Sequence, residues 1–298
     1  MRIVSWNMNR QGRSASSHDE AWGFLRYQLK ADLCLVQEAL PPDDLASVFR
    51  PIGAKPYNWG SAVVVLRPDL TLRARRRVPL EQSLFAAVAE DELPDSHPGA
   101  SAVADVQIDG RHLFTAVSLY AQWEMMPGGK AMYAGPRLHR MLSDLTGILV
   151  QAPRKPVMVA GDLNVTSQGA RRVDNEASAA FQRLRAWGLL DCLTHTRDSR
   201  PRLTGCECAD GDACAHVQTF RTGTQLDYAF VSSMILGALR SCNVEATAAA
   251  WERSDHSPIL IELDDHALLR LSGQAANGSF AADGGGCDRD AAAPEAVS

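Results

Sequence analysis

The chain lacks an excess of basic residues. Among its 298 residues, 30 Lys and Arg stand against 35 Asp and Glu, a formal net charge of -5. A global positive field for nucleic acid is thereby excluded, although a local patch is not. Long apolar runs are missing too. Ser61 to Leu66 and Val157 to Ala160 are far too short to cross a bilayer, so no membrane span is expected. No secretory pattern opens the chain: Met1-Arg2-Ile3-Val4-Ser5-Trp6-Asn7 turns polar after two apolar residues, and a cytoplasmic, monomeric protein is expected. The seven cysteines are an odd and uneven set, poor material for a disulfide framework. Cys34 and Cys192, set in apolar runs, read as buried thiols. No fixed-period repeat is visible, which argues against a solenoid or propeller. With 46% hydrophobic residues, 22 Gly and 15 Pro, collagen-like, coiled-coil and wholly disordered readings fall away.

What is present is an alternation of short apolar strands and amphipathic helices. Strands are expected at Arg2 to Trp6, Leu33 to Gln37, Ser61 to Leu66, Leu113 to Leu119, Val157 to Ala160, Leu226 to Ser232 and Pro258 to Leu263. Ser17 and Glu20 read as a capping box ahead of Ala21, Phe24, Leu25 and Leu29 at helical spacing. Pro136 opens a helix buried through Leu138, Met141, Leu142, Leu145 and Leu149, and Phe181, Leu184 and Trp187 mark another. Ala121 to Gly135 reads as a long loop, either facing substrate or simply tolerated at the surface. One domain is expected over 1–264, and a disordered tail over 265–298, where large apolar groups become scarce.

The chemistry lies where polar groups interrupt apolar runs. Asn7 ends the first strand and Glu38 the second; Asp162 and Asn164 follow the Val157 strand. Asp227 sits in the Leu226 strand, and Asp255-His256 precedes the last. Carboxylates and carboxamides converging at sheet edges suit Mg²⁺ or Mn²⁺ rather than a soft metal. A histidine adds a group titrating near neutrality. These are the parts of metal-assisted phosphoester hydrolysis.

In order and context these segments resemble the endonuclease/exonuclease/phosphatase superfamily, the fold of deoxyribonuclease I and exonuclease III-type enzymes. The resemblance is carried by Ser5-Trp6-Asn7-Met8-Asn9, Val36-Gln37-Glu38, Val117-Ser118-Leu119-Tyr120, Ala160-Gly161-Asp162-Leu163-Asn164, Gln225-Leu226-Asp227-Tyr228 and Ser254-Asp255-His256-Ser257-Pro258. It implies a four-layer α/β/β/α sandwich of two packed mixed sheets, whereas strand alternation alone would also allow a doubly wound sheet. It further implies Glu38 as principal metal ligand with Asn7 and Asp255, Asp162 and Asn164 handling the attacking water, and His256 on the scissile phosphate with Asp227 orienting its ring. Residue type leaves open whether His256 or Asp162 is the base. Tyr120 and Asn9 follow the exonuclease III-like pattern. Tyr120-Ala121-Gln122-Trp123 and Thr219-Phe220 depart from it, which puts abasic-site specificity in question. The expected activity is Mg²⁺-dependent phosphodiester hydrolysis by an endo- or exodeoxyribonuclease. The alternative is a phosphatase or phosphodiesterase for small-molecule or lipid phosphoesters, which the acidic balance favours.

Other residues carry two readings each. Cys206, Cys208, Cys214 and His216, in an insertion over 204–218, fit a structural Zn²⁺ or simply thiols of an acidic loop. His216 is alternatively a phosphate contact. Arg73, Arg75, Arg76 and Arg77 read as a solvated basic face rather than a phosphate track. Trp123 and Trp251 are candidates for stacking on a base or lipid-like group, and Arg171 and Arg172 for steering phosphate. Trp251 reads equally as a packing residue.

Overall fold

The structure, a computed structural model, describes residues 1–52, 58–85, 89, 91–125, 131–132, 134–166, 175–197, 206, 214 and 216–277. Twelve strands form two six-stranded sheets: β1 (Arg2–Asn7), β2 (Leu33–Ala39), β3 (Ser47–Pro51), β4 (Gly60–Val65), β5 (Leu70–Ala74), β6 (Ser101–Ile108), β7 (Arg111–Tyr120), β8 (Val157–Asp162), β9 (Leu189–Asp191), β10 (Asp227–Ser232), β11 (Leu239–Val244) and β12 (Ile259–Leu263). One sheet runs β11-β12-β1-β2-β4-β3 and the other β9-β10-β8-β7-β6-β5. Both are mixed, with β1 parallel to β2 and β8 parallel to β7 in otherwise antiparallel ladders.

Side-chain alternation explains the layers. In β1, Val4 and Trp6 point to one face and Ile3 to the other, as a pleated strand requires. Ile3, Leu33, Leu35, Val63 and Ile261 meet Ala104, Phe114, Ala116, Met158 and Val231 between the sheets. The outer face of the first sheet packs Trp6, Val36 and Val64 against Ala21 and Trp22 of helix α1 (Ala15–Gly23). The outer face of the second packs Val103, Val117 and Val159 against α2 (Gly135–Asp144) and α3 (Asn175–Ala186). The result is a helix-sheet-sheet-helix sandwich, as the resemblance implied. Among the described residues no helix is long and apolar enough to cross a membrane.

Four expectations need correction. Helix α1 begins at Ala15, and its cap is Ser14, whose hydroxyl accepts from Ser17 N at 3.2 Å. Ser17, expected as the cap, lies inside the first turn. The 121–135 segment carries a two-stranded ribbon, Glu124–Met125 with Ala131–Met132, rather than loop alone. Residues expected to open a disordered tail form a helix at Asp265–Asn277, held because Leu268 is buried in the core between the sheets; 278–298 lie outside the described residues. The basic run is only partly a solvated face. Arg75 pairs with buried Asp105 at 3.0 Å, and Arg77, 2% exposed, pairs with Asp95.

Candidate active site

Register brings the polar strand ends into line. In the second sheet Asp162 of β8 lies opposite Tyr120 of β7 on one side and Asp227 of β10 on the other, a row across three adjacent strands. In the first, Asn7 at the end of β1 pairs with Gln37 of β2, one residue before Glu38. The ladder between β2 and β4 shifts register between Val36 and Ala39, and Glu38 has φ 45°. Such an irregularity re-aims a side chain at a strand end. At Gly161, φ is 150°, and a Cβ there would meet Leu119 O at 2.0 Å, so only glycine lets β8 run this close to β7.

The two rows are tied across the sheets. Asn7 Nδ2 donates to Glu38 Oε1 at 3.1 Å and to Asp162 Oδ2 at 2.9 Å. The Tyr120 hydroxyl donates to Glu38 Oε1 at 2.6 Å. Asn164, itself at φ 50°, donates its backbone N–H and its Nδ2 to the two oxygens of Asp162, each at 2.9 Å. His256 Nδ1 donates to Asp227 Oδ2 at 2.8 Å, and its Nε2 lies 3.8 Å from Asp162 Oδ2. Trp6 Nε1 donates to His256 O at 2.8 Å, and the Phe220 ring packs on the imidazole with centroids 4.9 Å apart.

Charge in this row is unevenly distributed. Burial alone would lower the His256 pKa, but Asp227 and Asp162 more than offset it and raise it to about 10. Burial, reinforced by Asp227 and opposed by His256, raises Asp162 to about 7. Burial and the neighbouring Glu38 and Asp162 carboxylates push the Tyr120 phenol well up, so it stays a neutral donor. Among the described residues no Lys or Arg forms an ion pair with Glu38, Asp162, Asp227 or Asp255, and His256 is their one cationic neighbour within salt-bridge distance. A cluster of oxygen donors with this surplus of negative charge fits a hard divalent cation.

Of the residues expected at the site, Asn7, Glu38, Tyr120, Asp162, Asn164, Asp227 and His256 come together. Asp255 is half-buried beside them, its Oδ1 3.5 Å from Ser254 Oγ; among the described residues no hydrogen bond joins it to Glu38 or Asn7. Asn9 has a local task, its side chain accepting from Gly12 N at 3.1 Å. Trp123 is 49% exposed, one residue before the separate two-stranded ribbon. Trp251 lies on helix α4 (Ala248–Arg253) and lines a groove of about 540 Å³ with Arg13, Gln218, Arg221, Ala248 and Glu252. Arg171, Arg172 and Cys208 lie outside the described residues. Cys206, Cys214 and His216 do converge.

Several contributors escaped the sequence reading. Gln37, fully buried, donates to Ser118 Oγ at 2.9 Å and so bridges the sheets beneath the site. Thr219 Oγ1 accepts from Leu226 N and Asp227 N at 2.9 and 3.0 Å. Trp59 stands edge-on to Tyr120. Arg137, half-buried at the start of α2, lies within electrostatic reach of Tyr120 and Glu124, and among the described residues its buried Nε has no hydrogen-bond partner. Gln37 and Thr219 stood in the quoted motifs without a role of their own; Trp59 and Arg137 gave no signal.

No family model matches the chain, and no curated protein matches it in sequence. Solved structures do. An AP endonuclease from Leishmania major is 16% identical, over 88% of this chain and 87% of that one, with a TM-score of 0.59. A 3′ phosphatase from Neisseria, bound to a product DNA hairpin, is 19% identical over 89% and 99%, with a TM-score of 0.55. An AP endonuclease from Archaeoglobus fulgidus is 16% identical over 89% and 99%, also with a TM-score of 0.55. At such identities the likeness shows the fold alone, and that fold is the deoxyribonuclease I-like helix-sheet-sheet-helix sandwich.

Proposed function

We propose that the chain is a divalent-metal-dependent phosphodiesterase acting on nucleic acid, an endo- or exodeoxyribonuclease. The observation that carries this reading is the Asp162-His256-Asp227 row facing Glu38 across the sheet edges, a proton handler and an oxygen-rich anionic pocket in one place. Asp162, raised to about 7, takes the proton of an attacking water held by Asn164. The ring of His256, kept cationic by Asp227 and Asp162, donates from Nε2 to a non-bridging phosphoryl oxygen as charge develops there. A bond forms from the water oxygen to phosphorus while the opposite ester bond breaks, in line; the broken bond's electron pair stays on the leaving oxygen, which takes a proton from solvent. Mg²⁺ or Mn²⁺ on Glu38 and Asn7, with Asp255, would supply charge neutralisation at the phosphate. The substrate reading draws on the groove lined by Arg221 and Trp251: Arg221 N donates to Asp255 O at 2.9 Å, tying that segment to the residue before His256, and the Arg221 guanidinium donates to Trp251 O at 2.7 Å. A cation with an aromatic face suits a phosphate and its base.

The test incubates the protein and Mg²⁺ with labelled duplex DNA, an abasic duplex and single-stranded DNA, beside an EDTA control. Cleavage is expected with Mg²⁺ and should fall by on the order of 100-fold or more in Asp162→Asn and His256→Ala, whose folding is checked by melting temperature. No cleavage by folded wild type, or undiminished cleavage by both variants, overturns the nuclease reading. The net charge of -5 favours a second reading, a phosphatase of small or lipid phosphoesters, and the same variants serve as controls on those substrates.

A further inference from the structure

We infer that Cys206, Cys214 and His216 form a structural zinc site, separate from the oxygen-lined site and built ahead of the strand that carries Asp227. Their ligand atoms all lie within 4.8 Å of one another. His216 Nδ1 is 3.5 Å from Cys206 Sγ and 3.3 Å from Cys214 Sγ. Zn–S bonds of about 2.3 Å and a Zn–N bond of about 2.0 Å at a tetrahedral angle set nitrogen and sulfur about 3.5 Å apart, close to both separations. A thiol-imidazole hydrogen bond explains one such contact but not two. The neutral ring offers one lone pair at Nδ1, whereas a cation at the centre uses a lone pair from all three groups at once.

The surroundings agree with a closed metal site. Cys214 and His216 are 1% and 8% exposed. The backbone N–H of His216 donates to Cys214 Sγ at 3.4 Å, and a donor aimed at a sulfur stabilises its thiolate form. Two thiolates and an imidazole select a soft or borderline ion such as zinc over magnesium, so the two sites sort their metals by donor chemistry.

Its position gives the site a task. Val217 N donates to Gln225 Oε1 at 3.1 Å, one residue after His216. Thr219 then holds the amides of Leu226 and Asp227 on its hydroxyl, and its carbonyl accepts from Ser257 N at 2.7 Å. The zinc fixes the start of the segment that clamps the Asp227 strand to the His256 loop. It is a positioning element and touches no reacting atom.

The test needs no substrate, so it stands or falls independently of the nuclease reading. Elemental analysis of the full chain should find about one zinc per molecule, lost in Cys214→Ser and in His216→Ala. Cobalt substituted into the wild type should give a thiolate-to-metal charge-transfer band, which an oxygen-only site cannot produce. If the variants fold poorly, the wild type alone decides: a strong chelator should lower its melting temperature, and zinc but not magnesium should restore it. Absence of bound zinc after reconstitution, a cobalt spectrum without the thiolate band, or a Cys206–Cys214 disulfide in mass spectrometry overturns the proposal.

Discussion

Arg137 supplies a cation where the strand ends supply mostly carboxylates. Burial lowers its pKa, with Arg140 acting in the same direction, while Glu124 and Tyr120 oppose, so the guanidinium is held near the phenol that touches Glu38. If the proposed reaction holds, a buried donor with no partner among the described residues beside this site is where a phosphate oxygen would be met. Arg137→Gln is expected to lower kcat/KM by roughly 10- to 100-fold, a loss on the scale of one charge-assisted hydrogen bond, with Arg137→Lys recovering part of it. Steady-state kinetics on the cleaved substrate check this, and an unchanged kcat/KM would remove Arg137 from the site. In sequence, Pro136 announces only a helix start. Asn7, Glu38, Asp162 and His256 were legible because each breaks or borders an apolar run. Arg137 and Phe220 were not, since their roles come from contacts made by the folded chain, Phe220 on His256 above all.

Between residue and fold, the elements show where local pattern suffices. The strands at Leu33–Ala39 and Val157–Asp162 are apolar enough to read directly. Ser101–Ile108 was missed because both of its faces are covered, so Ala, Val and Asp appear without the alternation that marks a half-buried strand. The arginines before that strand read as surface charge; pairing with Asp105 and Asp95 draws Arg75 and Arg77 inward, while Arg73 and Arg76 stay exposed. Arg77 and Asp95 form a buried pair, with Arg50 also on Asp95 at 2.9 Å. Removing Arg77 leaves the Asp95 carboxylate with Arg50 as its remaining ion-pair partner. Arg77→Met should therefore cost on the order of 1 kcal/mol in urea unfolding, the scale of one hydrogen bond, and adding Asp95→Leu should return much of it. A single-variant cost near zero, or a double variant as unstable as the sum, would show that the pair is not coupled as drawn. At the helix scale, Ser14→Ala should cost about 1 kcal/mol and Ser17→Ala much less, which separates the observed cap from the expected one.

For the whole molecule, two buried groups on opposite sides of the sandwich set how it responds to acid. His18 lies under α1 on the first sheet's outer face, where Leu40 N and Trp22 Nε1 donate toward its Nε2 at 3.1 Å. Burial is the main cause that lowers its pKa below 6.5, so the folded state holds it neutral while the unfolded chain binds the proton. Its contribution is therefore present above pH 6.5 and is lost as pH falls below that. Asp105 lies in the second sheet. Burial would raise its carboxyl, but His112, Thr115 and Arg75 together hold it down to about 2, against 3.8 unfolded. Its contribution is complete above pH 3.8 and is lost as pH falls toward 2, on the order of 2 kcal/mol. Asp162, raised to about 7, works the other way between pH 7 and 3.8, so His18 and Asp105 are read as differences from wild type. In unfolding free energy measured from pH 7 to pH 2.5, each should contribute a downward step, His18 below pH 6.5 and Asp105 below pH 3.8. His18→Gln should flatten the upper step and leave the lower, and Asp105→Asn should do the reverse. Because the two groups sit in separate packing layers, the variants should act additively. A single step removed by either variant alone would mean that the layers titrate as one unit, contrary to the separation of their cores.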